Sequence, residues 1–96
     1  MLPDTYYKEL YELFSSIDNQ HEAKDLLHDL FTPQEIDDIA ERWQEIQALA
    51  TGETQRSISK RLGVSISKVT RGSRSLQYGS GGFKYFLKKL GKKVKD

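Results

Sequence analysis

Apolar residues recur along this chain at helical spacing, and no stretch alternates as a strand would. Tyr7, Leu10, Tyr11, Phe14 and Ile17 share one face of a first predicted helix. Asp18-Asn19 breaks it, and Ala23, Leu26, Leu27 and Leu30 form a second, shorter stripe. Thr32-Pro33-Gln34-Glu35 predicts a strong helix start. Thr32 can cap, Pro33 suits the first helical position, and Glu35 can return the bond as a capping box. The helix after it is the longest. Ile36, Ile39, Ala40, Trp43, Ile46 and Ala50 line one face, and Gly52 ends it. Trp43 fits that apolar face as core or dimer interface. Near the end, Phe83, Phe86, Leu87 and Leu90 predict a short amphipathic helix stopped by Gly91. Tyr78 and Gly79-Ser80-Gly81-Gly82 read as a hinge before it.

Residues 55–76 are the most informative stretch. Ile58 and Leu62 share a helix face, and Val64 and Val69 supply apolar positions beyond Gly63. Gly63 suits the left-handed position that ends one helix, and Ser65 is a good N-cap for the next. Ser59 is small where two helices joined by a short turn must approach. The pattern predicts a helix-turn-helix ringed by Arg56, Lys60, Arg61, Lys68, Arg71 and Arg74. Arg56, Lys60, Lys68 and Arg74 are placed to hold phosphates. Ile66, Ser67, Lys68 and Thr70 lie in the first turn and a half of the second helix, where base edges are reached. Gln55 completes the candidate DNA-binding set. The competing possibility is an ordinary helical hairpin with solvated lysines.

These elements predict an all-α protein of about six helices around a central helix-turn-helix. One domain, 1–96, would hold dimerisation helices (1–52), the helix-turn-helix (54–77), a C-terminal helix (83–91) and a frayed basic tail (92–96). The first three stripes carry more large apolar and aromatic surface than one small subunit can cover. A two-fold homodimer is therefore expected. It would place two reading helices about one DNA turn apart, roughly 34 Å.

Charge sharpens the picture. The net charge of +1 conceals a division: residues 1–53 hold three basic and 13 acidic side chains, whereas residues 54–96 hold 12 basic and one acidic. The basic half contains the helix-turn-helix, so phosphates should meet that half and the acidic half should orient the encounter. Attraction between the two halves is compatible with this. With no cysteine, neither disulfides nor thiolate metal sites are available. No apolar run approaches a membrane span, and no secretion signal is seen. A cytoplasmic location is the expectation. His21 and His28 lack a nearby third ligand, so a metal is not expected. No nucleophile–base pair, carboxylate pair or phosphate-cradling loop suggests an enzyme, and no cofactor is implied.

Arg71-Gly72 adds a second kind of chemistry to the reading helix. Glycine there costs the helix about 1 kcal/mol relative to alanine. It stands where such helices usually turn an aliphatic side chain inward, which leaves room for a small ligand. A guanidinium can stack on an aromatic face and also fork onto a carboxylate. Thr32 sits at a helix N-terminus, where backbone N–H groups favour an anion. Alternatively, Arg42 and Arg71 pair with Asp38, Glu41 or Glu45, and Gly72 allows close helix packing.

Thr32-Pro33, Arg42, Gly52-Glu53, Gln55-Arg56, Leu62-Gly63, Ile66, Thr70-Arg71-Gly72-Ser73 and Ser75-Leu76 together resemble the tryptophan repressor family. The similarity runs from about Leu30 to Leu76. It implies an intertwined homodimer that binds L-tryptophan as corepressor and then a palindromic operator. It also implies that the indole lies between Arg42 and Arg71, and the room left at Gly72 is compatible with it. Arg71 and Thr32 would hold the ligand carboxylate. Ser75 and carbonyls near Asp29 and Phe31 would meet its ammonium. Three features depart from the family pattern. The junction from Gly52 to Gln55 is one residue shorter, Lys68 replaces a smaller or neutral residue, and Phe31 replaces a leucine. A related DNA-binding regulator with a different ligand or none is the alternative. A helical interaction module whose basic face meets an acidic partner is a third possibility.

Overall fold

A computed structural model of the protein describes residues 1–95. Six helices are present: α1 (Asp4–Ser15), α2 (Gln20–Leu30), α3 (Pro33–Ala50), α4 (Gln55–Leu62), α5 (Ile66–Tyr78) and α6 (Gly82–Lys89). Among the described residues there is no strand, and no helix is long and apolar enough to cross a membrane. Where the sequence suggests one domain, the fold divides into two compact units. One is Met1–Ile36 and the other begins at Asp37, within α3.

The first unit is built by caps rather than by a core. α1 stops at Ser15, so Ile17 lies beyond the helix it was expected to extend. The Ser16 N–H donates to Glu12 O (3.1 Å) and Leu13 O (3.3 Å), and its hydroxyl donates to Leu13 O (2.7 Å). Such side-chain bonds compete with helix continuation. Asn19 Oδ1 then accepts the Glu22 N–H at 2.9 Å to start α2, and Glu22 returns the bond to the Asp18 N–H at 3.0 Å. Thr32 and Glu35 form the predicted capping box, with distances of 3.2 and 2.9 Å. Neither α1 nor α2 buries a single residue. Leu10, Tyr11 and Phe14 remain 40–66% exposed, which leaves this unit without a core of its own.

The second unit holds the core. Ala48, Ile58, Val64 and Val69 cluster where α3, α4 and α5 meet, and Ile46, Ala50 and Leu87 cluster beneath α6. Leu49 packs against both clusters. Each fully buried Ile or Val side chain contributes roughly 1.5–3 kcal/mol. Trp43 packs on the second cluster, and its ring stacks on Phe83 with centroids 6.3 Å apart. The expected apolar face of α3 is only partly the buried one. Ile39 and Ala40 are exposed, whereas Ala48 and Glu45 are buried. Burial is concentrated in the C-terminal half of α3, where α4, α5 and α6 surround it.

Gly52 ends α3 in a Schellman arrangement at φ 91°. Its N–H bonds to Leu49 O at 3.0 Å, and the Glu53 N–H bonds to Ala48 O at 3.4 Å. α6 ends at Lys89, two residues short of the expected 83–91 span. The basic tail is not frayed through Lys95. The Lys92 N–H bonds to Leu87 O at 2.8 Å, and the Lys95 N–H bonds to Ala50 O at 2.7 Å. Asp96, the end of the predicted tail, lies outside the described residues.

Candidate ligand cleft and nucleic-acid interface

The helix-turn-helix is α4, a short turn and α5. Thr54 caps α4 by accepting the Ser57 N–H at 3.1 Å, and Ser65 caps α5 by accepting the Lys68 N–H at 3.3 Å. Between them Gly63 adopts φ 67°, ψ 34°, the left-handed conformation that turns the chain. Ser59 ties the turn down twice. Its hydroxyl donates to Val64 O at 2.6 Å, and its carbonyl accepts the Val64 N–H at 3.1 Å. A larger residue at 59 would lose the first bond and crowd the second.

This frame leaves Arg56, Lys60, Ile66, Ser67, Lys68, Thr70 and Arg74 exposed and Gln55 half-buried. Two members of the candidate DNA set touch each other. Thr70 Oγ1 lies 2.7 Å from Gln55 Oε1 and 2.9 Å from Ile66 O. The bond fixes the start of α4 against the second turn of α5. Arg61, part of the basic ring, is committed elsewhere. Its guanidinium forks onto Glu53, with Nη2–Oε1 at 2.7 Å and Nε–Oε2 at 3.1 Å. Ser57 Oγ also donates to Glu53 Oε2, at 2.8 Å. Those bonds, from Arg61 first and Ser57 second, hold the Glu53 carboxyl below its ordinary pKa. They also anchor the 52–55 junction to α4.

Beside the reading helix lies a cleft of about 280 Å³. α3 contributes Asp38, Glu41, Arg42 and Glu45, α5 contributes Lys68, Arg71, Gly72 and Ser75, and α6 contributes Phe83. Of the expected ligand residues, Arg42, Arg71, Gly72 and Ser75 are thus brought together. Phe31 and Thr32 belong to the first unit, where they cap α2 and open α3. Lys68 was expected to face DNA alone, yet it also lines the cleft. Its Nζ is 3.1 Å from Glu41 Oε1, and that hydrogen bond raises its pKa.

Among the described residues, neither Arg42 nor Arg71 makes an ion pair within 4 Å. Gly72 serves packing in part. A Cβ built there would meet Leu49 Cδ1 at 3.4 Å and Ile46 Cδ1 at 3.5 Å, ordinary van der Waals contact with α3.

Four cleft residues were missed by sequence reasoning as members of the site: Phe83, Glu45, and Asp38 and Glu41, which were also considered only as partners for arginine. Phe83 was assigned only to an amphipathic helix. Glu45 was considered only as a partner for arginine, although it is three residues from Arg42 and therefore on the same flank of α3. It is only 3% exposed. Burial first, and Glu41 second, push its pKa upward, and Lys68 and Arg42 partly offset them. A larger groove of about 770 Å³ runs between the end of α3, α5, α6 and the tail. Its floor is apolar and its rim is lysine, without the opposed charges and planar cations of the smaller cleft.

A family model described as Trp repressor protein matches residues 5–91. The chain is 42% identical over 87 residues to a Trp operon repressor homolog of Vibrio campbellii, covering 88% of this chain and 85% of that one. It is 38% identical over 84 residues to the homolog of Chlamydia trachomatis serovar L2, covering 82% of this chain and 89% of that one. Its fold superposes on the crystal structure of a TrpR-like protein from Eubacterium eligens with a TM-score of 0.87 and 27% identity, over 95% of this chain and 94% of the other. By agreement over most of its length, the chain belongs to the Trp repressor family of helix-turn-helix, DNA-binding transcriptional regulators.

Proposed function

We propose that this protein is a corepressor-dependent repressor that binds L-tryptophan and then a palindromic operator. The observation that carries this is the position of Arg42 and Arg71. Two guanidinium groups that, among the described residues, make no ion pair within 4 Å line one cleft, and one of them rises from the helix that presents Ile66, Ser67 and Thr70 outward. A flat aromatic amino acid matches their chemistry, with stacking for the ring and a fork for the carboxylate. Ser75 would hold the ammonium. A ligand seated there favours one orientation of α5 and shifts the population toward the DNA-competent arrangement. By linkage, operator DNA tightens the ligand by the same factor.

The exposed faces of α1 and α2 support a homodimer, since Leu10, Tyr11 and Phe14 need cover. Titration calorimetry of the dimeric protein with L-tryptophan tests the proposal. One saturable site per subunit is expected, lost in Arg42→Ala. Absence of heat at millimolar ligand, at two temperatures, overturns it.

A further inference from the structure

The corepressor cleft contains one group that stacking and carboxylate binding do not use. Glu45 is 3% exposed and, among the described residues, makes no hydrogen bond and no ion pair within 4 Å. No side-chain oxygen of a buried residue is sealed off without a partner, so its carboxyl keeps its remaining opening toward the cleft it lines. Its Oε1 lies 3.9 Å from where a Cβ on Gly72 would stand. Ile46 and Leu49 approach that same point at 3.5 and 3.4 Å. The floor is thus apolar except for one acceptor. Lys68, the nearest flexible cation, is held by Glu41 at 3.1 Å.

We propose that Glu45 sets the ligand specificity of this cleft by accepting a hydrogen bond from a ring N–H, so that the ligand must be an aromatic amino acid with a donor on its ring edge. This rests on the corepressor reading above. A ring lying between Arg42 and Arg71 passes over Gly72 and brings its edge to the Glu45 carboxyl. With an N–H there, the buried carboxylate is satisfied. With carbon or sulfur there, a buried acceptor faces a group that cannot donate, which is the costly arrangement. Burial already pushes the Glu45 carboxyl up, so it has a donor to gain. A site built to pair a ligand N–H rejects the analogue lacking it more strongly than an apolar site can.

Calorimetric titration with L-tryptophan and with 3-benzothienyl-L-alanine, whose sulfur replaces the ring N–H, tests this on the wild type, Glu45→Gln and Glu45→Leu. The wild type should prefer L-tryptophan by about 10- to 100-fold, the value of one charge-assisted hydrogen bond. Glu45→Gln should keep part of that preference, and Glu45→Leu should reduce the ratio to about one, since an apolar floor takes either ring. Equal wild-type affinity for the two ligands overturns the assignment of Glu45 while leaving the corepressor reading intact. An unchanged ratio in Glu45→Leu does the same. If the wild type binds neither ligand, the corepressor reading itself fails.

Discussion

Lys68 Nζ lies 3.1 Å from Glu41 Oε1, and this bond joins the first turn of the reading helix to α3 across the edge of the cleft. A lysine expected from the sequence to face DNA is thereby held at the edge of the candidate cleft. Glu41→Gln should release it. DNA affinity should then rise at low salt, and the slope of log affinity against log salt should steepen by roughly 0.9 for one added phosphate contact. An unchanged slope in a salt series would show that Lys68 already reaches DNA despite Glu41.

Arg71→Lys keeps the charge and removes the planar fork. Because Arg71 is exposed and has no ion-pair partner within 4 Å among the described residues, thermal stability should not move. L-tryptophan affinity should fall at least about tenfold, as expected when a bidentate contact becomes a point charge. Calorimetry beside a melting curve separates the two effects. A parallel loss of stability would assign Arg71 to the fold instead.

Two carboxyls should respond to pH with opposite signs. The Glu53 carboxyl sits below its ordinary value of 4.5 because Arg61 and Ser57 bond to it. Its contribution is present above that value and lost as pH falls through the folded pKa. Glu53→Gln should therefore be less stable than wild type at pH 7, with the gap closing in acid. Glu45 is raised above 4.5 by burial and by Glu41. Its cost is absent below that value and grows as pH rises through the folded pKa. Glu45→Gln should be more stable than wild type at pH 7, and this gap also should close in acid. Urea unfolding across a pH series reads both differences.

Gly63→Ala isolates the cost of the turn. Gly63 has φ 67°, and a Cβ there would meet no atom within 4 Å. The penalty is conformational alone, about 1–2 kcal/mol. It should appear as a lower melting temperature without a change in helical content at low temperature. No change in melting temperature would mean that the turn relaxes.

The helix-turn-helix was legible because its signals are local. Gly63 and Ser65 act within four residues of themselves, and each cap forms as the sequence predicts. The Thr32–Glu35 capping box is legible for the same reason. The pairing of Arg42 with Arg71 joins two helices, and only the chain's resemblance to its family anticipated it. Glu45 was not recognised as a cleft residue because a charged residue on a helix reads as solvated. Its burial comes from α5 and α6 closing over the second half of α3. The tail was misjudged because lysines suggest fraying, whereas backbone bonds from Lys92 and Lys95 secure it. The Thr70–Gln55 contact spans 15 residues and depends on how the turn orients two helices.

The most direct test of the account is DNA binding with and without L-tryptophan. A duplex selected from random sequence in the presence of ligand should contain a palindrome. Its affinity should increase on adding L-tryptophan, and this increase should vanish in Arg42→Ala. Equal affinity in the absence and presence of saturating L-tryptophan would contradict ligand control of this repressor.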